Sequence, residues 1–285
     1  MNVVILTEGG KQIGFGHLAR CSALYAAFLE KGVKPLMVVN GDTKTSTFLK
    51  GVHYKFLDWI NEKEKLLGII DDVDIVAMDS YLAKRSLYKL VSSRVKKNLF
   101  FDDTLRLLYP QGFVINGTAN AKKLPYLKRK GISYLLGTKY ALVRKEFWNT
   151  APKKISNELK RILVIFGGAN IGGMMPRVIG VLCRVYPGLH KRVMLGHLFG
   201  TKACFERTGD ERTAFIASAT AAILKKEMLA CDVAISAGGQ TLFELARLGV
   251  PTIAISVADN QRNNIEGFDD AGFVSMPALK KTPIS

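Results

Sequence analysis

The stretch that decides the fold is VVILTEGGKQIGFGHLAR, residues 3–20. Its β-branched start predicts a buried strand, and the glycine-rich loop that follows leads into apolar residues at the three- and four-residue spacing of a helix. Further apolar runs at residues 35–39, 75–78, 99–101 and 113–115 alternate with helical patterns such as residues 61–70. This alternation is typical of a parallel sheet with crossover helices, and nearly continuous apolar strands indicate that both sheet faces are covered.

A second series of strands begins after residues 150–157, a polar stretch that contains Lys and Pro and is typical of a linker. Its apolar runs lie at residues 162–166, 192–195, 233–236 and 252–255. We therefore predict an α/β protein of two doubly wound parallel-sheet lobes, residues 1–155 and 156–285. The carboxyl ends of the two sheets should face a cleft, and functional residues should lie on the loops that follow the strands.

Composition excludes several classes of protein. With 48% hydrophobic and 23% charged residues in 285, the chain can bury real cores, which excludes disordered and collagen-like classes. The sequence has neither an apolar run long enough to span a bilayer nor the pattern of a signal peptide, so we expect a cytoplasmic protein. The four cysteines show no CxxC or Cys/His spacing, so neither a disulfide framework nor a zinc site is indicated.

The chain carries 41 Lys and Arg against 24 Asp and Glu, a formal net charge of +17. Such a balance attracts nucleotides, polyanions and acidic surfaces alike. The basic residues form scattered clusters without a nucleic-acid motif, so we expect no nucleic-acid partner. A solvated basic face, a weak attraction to anionic membrane surfaces and a phosphorylated substrate remain open. We expect a monomer.

The loop between the first strand and the first helix is the first candidate site. Gly14 and Gly16 allow close approach of a ligand to the backbone, and a helix that begins near His17 offers N–H groups suited to phosphate. The loop lacks the third glycine and the downstream acid of a dinucleotide fingerprint. His17 is the best-placed general base of the four histidines, with His197 as its competitor, although His17 could also be an ordinary residue of a helix N-terminus.

The second candidate site is the turn at residues 236–244, again a strand, a glycine pair and a helix. The N–H groups of Gly239, Gln240 and Thr241 can cradle a diphosphate beside Gly238. Glu244 lies about one helical turn into the helix, where a carboxylate can bind both hydroxyls of a ribose. A solvated helix carboxylate is the alternative for Glu244.

A third set of residues ends other predicted strands. Acids beside a cleft can orient sugar hydroxyls or water, and glycines permit close approach of a ligand. Acids at strand ends are also common as caps and turn formers. The set comprises Asp79-Ser80-Tyr81 and Phe101-Asp102-Asp103 in the first lobe and Gly167-Gly168 in the second.

Taken together, these motifs resemble the UDP-sugar hydrolases of the pseudaminic acid pathway and the related spore-coat polysaccharide proteins of the GT-B superfamily. The resemblance implies a GT-B-like fold of two Rossmann-like lobes and covers most of the chain. It extends through Gly14-Phe15-Gly16-His17 with Arg20, Asp79-Ser80-Tyr81, Phe101-Asp102-Asp103, Asn116, residues 140–147 with Arg144, Phe166-Gly167-Gly168, residues 236–244 and Asn260-Gln261.

The resemblance implies release of UDP from a UDP-linked 2,4-diacetamido-2,4,6-trideoxyhexose by water attack at the anomeric carbon with inversion. It makes His17 the base that activates water and places Tyr81 and Asp79 near the sugar. Diphosphate and ribose would be held by the turn at residues 239–241 and by Glu244. Arg144 would be structural or sugar-facing, and Gln261 would contact the hexose or the phosphate.

A good leaving group stabilised by backbone N–H groups needs no metal, so we expect neither a metal nor a cofactor. The nearest rival is a GT-B glycosyltransferase that moves a sugar from a nucleotide donor to a lipid-linked or polysaccharide acceptor, with His17 as the base for the acceptor hydroxyl. A third reading is a protein that binds a nucleotide sugar without chemistry.

Overall fold

The structure is a computed structural model that describes residues 1–10, 13–41, 45–46, 49–167, 173–196, 208–217 and 219–275. The chain divides into two units, Met1–Lys145 and Glu146–Ser285, each built around a parallel sheet. No helix among the described residues is long and apolar enough to cross a membrane.

The described part of the first unit contains a seven-stranded parallel sheet in the order β3-β2-β1-β4-β5-β6-β7. The order reverses between β1 and β4, and at this switch point a doubly wound sheet opens a crevice for ligands. The strands are β1 (Val3–Gly9), β2 (Leu36–Gly41), β3 (Tyr54–Phe56), β4 (Ile75–Asp79), β5 (Lys97–Phe101), β6 (Gly112–Asn116) and β7 (Ile132–Leu136), and the helices are α1 (Gly16–Glu30), α2 (Lys63–Ile70) and α3 (Arg85–Ser92).

The second unit repeats this plan in its described residues. Its six-stranded parallel sheet has the order β10-β9-β8-β11-β12-β13, with the switch between β8 and β11. The strands are β8 (Arg161–Ile165), β9 (His190–Leu195), β10 (Thr213–Ala217), β11 (Val233–Ala237), β12 (Thr252–Ile255) and β13 (Val274–Ser275), and the helices are α4 (Met174–Val185), α5 (Ala221–Ala230), α6 (Gln240–Leu248) and α7 (Arg262–Asp270).

Apolar cores cover both faces of the first sheet. One lies between the sheet and α2 and α3 and contains Trp59, Leu66 and Tyr88, whereas the other lies against α1 and contains Leu18 and Tyr25. The indole Nε1–H of Trp59 donates to the carbonyl of Thr7 at 2.9 Å, which ties the loop after β3 to the end of β1. The two cores explain the nearly continuous apolar strands, since both faces are buried.

Along the chain, the first unit ends at Lys145 and the second begins at Glu146. This boundary lies ten residues before residue 155, where we expected it from the linker composition. The reason lies in contacts of the segment at residues 146–155. The guanidinium of Arg247 in α6 donates to the carbonyls of Trp148 and Thr150, and the N–H of Lys153 donates to the carbonyl of Leu248. These contacts fix the segment to the second unit.

Candidate functional site

The loop between β1 and α1 is closed by two backbone hydrogen bonds between Gly10 and Gly14. Gly14 has a φ of +82°, a backbone conformation that side chains other than glycine rarely adopt. The helix α1 begins at Gly16, close to the start near His17 that we expected, and it has no side-chain cap. The loop thereby places His17 in the first turn of the helix, beside the switch point of the sheet.

His17 is held by a buried carboxylate. Its side chain is only 6% exposed, and Nδ1 lies 2.7 Å from Oδ1 of Asp79, which ends the neighbouring strand β4. An ionised carboxylate only accepts hydrogen bonds, so Nδ1–H is the donor and Nε2 is the basic nitrogen of the neutral ring. This arrangement fixes both the tautomer and the orientation of the imidazole.

Arg20, one turn further along α1, completes the same cluster. Its Nε and one terminal nitrogen donate to the two oxygens of Asp79 at 2.8 and 2.7 Å, and its other terminal nitrogen donates to Oδ1 of Asp103 at 2.7 Å. Such paired donation to a carboxylate is geometrically specific and strong. Asp79 is therefore shared between His17 and Arg20 and is 1% exposed, so its contacts are with protein groups.

The charges of the cluster shift the pKa values of its members. Burial alone would lower the pKa of His17, but the charge of Asp79 and the hydrogen bond to it outweigh burial and raise the pKa above its ordinary value of 6.5. Burial alone would raise the pKa of Asp79, yet the charges of Arg20 and His17 hold it well below the usual range. Asp79 is therefore an anion at neutral pH.

Tyr81 packs against the imidazole of His17. The rings of Tyr81 and His17 meet edge to face, with centroids 4.5 Å apart and planes at 86°. The hydroxyl of Tyr81 donates to Oδ2 of Asp103 at 2.7 Å, while Arg20 occupies the other oxygen of that carboxylate. Asp103 thus links Tyr81 to Arg20, and the sequence-predicted residues of the first lobe form one connected network.

Glu8 belongs to this network and was not among the predicted site residues. It is fully buried near the end of β1, accepts hydrogen bonds from the hydroxyl of Ser80 and from the N–H of Tyr81, and lies 3.9 Å from Nε2 of His17. An acid at the end of an apolar strand, directly before Gly9 and Gly10, is the signal that could have revealed it. Glu8 anchors the loop that carries Tyr81.

Asn116 and Asp102 form a second, inner chain of hydrogen bonds. The amide nitrogen of Asn116 donates to the hydroxyl of Tyr126 at 2.9 Å, and that hydroxyl donates to Oδ2 of Asp102 at 2.8 Å. The amide oxygen of Asn116 accepts from the N–H and hydroxyl of Thr118. Asn116 is fully buried, and its hydrogen bonds to Thr118 and Tyr126 fix the loop after β6.

In the second unit, the glycine turn after β11 packs closely against α7 and the short 3-10 turn before it. A Cβ on Gly238 would lie 2.5 Å from Cγ1 of Ile265, so only glycine fits. Oε1 of Gln261 accepts from the N–H of Gly238 and of Val257, both at 3.2 Å. Gln261 therefore braces the turn, with its amide nitrogen 3.8 Å from the Cβ position of Gly239.

The helix α6 begins directly after Gly239, which provides no side-chain cap. Gln240 and Thr241 lie in its first turn, and the backbone N–H groups of such a turn attract anions. Glu244, one turn further, is 1% exposed, so it is not the solvated carboxylate that was the alternative. Gly167, with a φ of +78°, follows β8, the strand next to β11, and so lies at the same edge of the sheet.

Of the remaining predicted residues, some lie in described segments and others outside the described residues. Asn260 is exposed in the 3-10 turn Asp259–Gln261, and Arg144 is partly buried at the end of the first unit. Gly168 and His197 lie outside the described residues. Among the residues that are described, no group of three or more His, Cys, Asp or Glu could hold a metal ion.

No protein-family model matches the chain. The chain is 26% identical over 284 residues to the pseudaminic acid cytidylyltransferase and UDP-2,4-diacetamido-2,4,6-trideoxy-beta-L-altropyranose hydrolase of Helicobacter pylori, covering 98% of this chain and 49% of that protein. It is 22% identical over 281 residues to the spore coat polysaccharide biosynthesis protein SpsG of Bacillus subtilis, covering 95% of this chain and 82% of that one. These similarities confirm the resemblance seen in the motifs, although the chain spans about half the length of the first relative.

Solved structures show the same fold. The glycosyltransferase SsfS6 of Streptomyces sp. SF2575, complexed with thymidine diphosphate, has a TM-score of 0.61 at 14% identity, covering 97% of this chain and 87% of that one. MurG of Acinetobacter baumannii has a TM-score of 0.64 at 13% identity, covering 96% of this chain and 85% of that one. The predicted GT-B-like fold is thereby confirmed.

Proposed function

We propose that the protein releases UDP from a UDP-linked 2,4-diacetamido-2,4,6-trideoxyhexose by water attack at the anomeric carbon with inversion, in the biosynthesis of pseudaminic acid or a surface polysaccharide. The comparisons support the coarser part, an enzyme of nucleotide-sugar metabolism with a GT-B fold. The specific reaction rests on the Helicobacter pylori relative and on the His17 site. The single observation that carries it is the hydrogen bond between Nδ1 of His17 and Asp79.

His17 is the proposed base. With Nδ1–H donated to Asp79, the free nitrogen Nε2 can accept a proton from water, and the carboxylate stabilises the imidazolium that forms. The pKa of His17, raised above its ordinary value, makes the imidazole a stronger base than an isolated one. Asp79 acts through His17, so we now assign it a positioning role.

A covalent route would need a carboxylate nucleophile next to the sugar. The three carboxylates around His17 are already engaged as acceptors: Glu8 by Ser80 and Tyr81, Asp79 by His17 and Arg20, and Asp103 by Arg20 and Tyr81. A single base beside carboxylates that are already engaged in hydrogen bonds favours direct displacement by water and therefore inversion.

The nucleotide is assigned to the second unit. The N-terminal turn of α6, which follows Gly238 and Gly239, would stabilise the diphosphate as it leaves, and such fixed dipoles can supply the stabilisation that a metal gives elsewhere. Glu244 would take the ribose hydroxyls, and Gln240, Thr241 and Gln261 line the same turn. The complex of SsfS6 with thymidine diphosphate supports a nucleoside diphosphate site in this fold.

A glycosyltransferase is the second candidate because the structural neighbour SsfS6 is named a glycosyltransferase. The same base could also deprotonate an acceptor hydroxyl. To separate the two, the protein is incubated with a panel of nucleotide sugars, first alone and then with lipid or saccharide acceptors, and free nucleoside diphosphate is measured. Release without an acceptor supports the hydrolase. Release that requires an acceptor contradicts it in favour of a transferase, and calorimetric binding without any release favours a binding protein.

A further inference from the structure

The positive charge of the chain is concentrated in one run of the first unit. Residues 104–145 contain no Asp or Glu and nine Lys or Arg, more than half of the net +17. At the two ends of this run, Arg106 donates to the carbonyls of Ser80 and Ala83, and Lys145 pairs with Glu30. Most of the others come together around the connection between β6 and β7.

This connection lies at the end of the sheet, because β7 is the terminal strand in the strand order. Leu127, at its centre, is 65% exposed, and the cations on either side of it are exposed as well. Among the described residues, no carboxylate lies within ion-pair distance of Lys122, Lys128 or Lys130. We define the basic edge as Lys122, Lys123, Leu127, Lys128, Arg129, Lys130 and Lys139.

The basic edge is held in place from beneath. The ring of Tyr126 packs on Tyr134 with centroids 4.9 Å apart, and the hydroxyl of Tyr134 donates to the carbonyl of Leu127 at 2.9 Å. Arg129 donates to the carbonyl of Tyr109 at 3.2 Å. Tyr126 thus packs on the protein while its neighbour Leu127 faces solvent, so the segment presents an exposed apolar side chain with exposed cations before and after it in the chain.

We propose that the basic edge docks the protein on a membrane surface rich in anionic phospholipid, with Leu127 inserted among the acyl chains and the lysines on the head groups. An exposed leucine alone needs no explanation, and neither does a basic run. Their combination fits an interfacial site, in which apolar burial and attraction to anionic lipid add. Leu127 would gain nothing from contact with nucleic-acid phosphates, so charge and exposed apolar surface together favour lipid.

The test is co-sedimentation of the full chain with two kinds of vesicle, phosphatidylcholine alone and phosphatidylcholine that contains phosphatidylglycerol. We expect binding to the anionic vesicles only, weakened by added salt. Replacing Lys122, Lys128 and Lys130 together by Gln should lower the affinity about 100-fold, at roughly fivefold per lysine near the surface. Leu127→Ser should lower it about 10-fold, because less apolar area is buried in the bilayer.

The matched control replaces three exposed lysines elsewhere in the same unit, Lys31, Lys96 and Lys97, by Gln, with the same change of net charge. This variant should bind nearly as tightly as the parent protein. Equal losses in the two triple variants would overturn the proposal, as would equal binding to uncharged vesicles, or binding to an RNA oligonucleotide without binding to anionic vesicles. Thermal unfolding checks that each variant folds, and the release of UDP in solution, measured separately, should be unchanged in all of them.

Discussion

The two units begin their candidate sites with the same local pattern, a buried strand, a glycine turn and a helix N-terminus, yet they use it differently. In the first unit the turn delivers a side chain, His17, into a network of charged groups. In the second unit the turn delivers backbone, since Gln261 accepts from the N–H of the buried Gly238 and the helix α6 begins directly after Gly239 without a side-chain cap. The same pattern therefore presents a side chain in one unit and backbone in the other, and the residues around it decide which.

The sharpest test of this difference is His17→Asn. The Asn amide can still donate to Asp79 but has no basic nitrogen, so turnover should fall by about 10²–10⁴-fold. The affinity for UDP, measured by calorimetry, should stay unchanged because the nucleotide is assigned to the other unit. His190→Ala removes an exposed histidine of β9 and serves as the control. Turnover of H17N within a few fold of the parent would remove His17 as the base.

The pH dependence of turnover tests the coupling between His17 and Asp79. A base must be unprotonated, and the pKa of His17 is raised, so turnover should fall as the pH drops through a value above 6.5. In Asp79→Asn the opposite charge is lost, the pKa of His17 falls, and this acid limb should move to lower pH by about 1–3 units. An unmoved limb in the profile of kcat/KM against pH would show that another group titrates.

We expect Glu8 to affect both stability and turnover, because it anchors the loop that carries Tyr81. Glu8→Ala leaves the hydroxyl of Ser80 and the N–H of Tyr81 without their buried acceptor, so the free energy of unfolding should fall by about 1–3 kcal/mol. Because the loop carries Tyr81, kcat should fall while UDP affinity stays. Glu8→Gln keeps an acceptor oxygen and should recover most of both quantities. If E8A lost stability but kept its kcat, the positioning role would be wrong.

In the second unit the comparison predicts that the two glycines differ. Gly238→Ala should lower the free energy of unfolding by about 1–3 kcal/mol because its Cβ overlaps Ile265. Gly239→Ala has its nearest contact at 3.8 Å and should fold like the parent. Denaturant titration measures both. If backbone approach holds the diphosphate, G239A should still bind UDP more weakly, and unchanged affinity would argue against the cradle.

Glu244→Gln should weaken UDP binding by about 1–3 kcal/mol if the carboxylate accepts the ribose hydroxyls. The control is Glu266→Gln, a change of the same kind at an exposed position of α7. Calorimetry compares the two variants. Equal affinities for UDP would take Glu244 out of the nucleotide site.

The central strands of both sheets could be predicted from the sequence because a strand covered on both faces reads as a continuous apolar run. The edge strands β10 and β13 were not predicted. The side chains of β10 are largely half-buried, so its apolar signal is weak, and β13 has only two residues, Val274–Ser275. The expected boundary at residue 155 differs from the one in the structure because composition cannot show that Arg247 donates to the carbonyls of residues 148 and 150.

The candidate site was predictable where a local motif carries it and not where distant residues meet. Gly14, Gly16 and His17 lie within one loop of the sequence, so a local motif is enough to predict them. The contact between His17 and Asp79 joins residues 62 apart and depends on β1 lying next to β4. Glu8 meets Ser80 across 72 residues, and an acid inside an apolar strand gives no sign of its partners until the strand order is known.

The chain contains two tryptophans, and the structure assigns one to each unit: Trp59 beneath the end of β1, and Trp148 in the segment that Arg247 holds against the second unit. Intrinsic fluorescence therefore carries a separate reporter for each half of the molecule. Replacing Trp148 by Phe leaves an emission that follows only the half that contains His17. The unfolding of that half can then be recorded by itself, without any added dye.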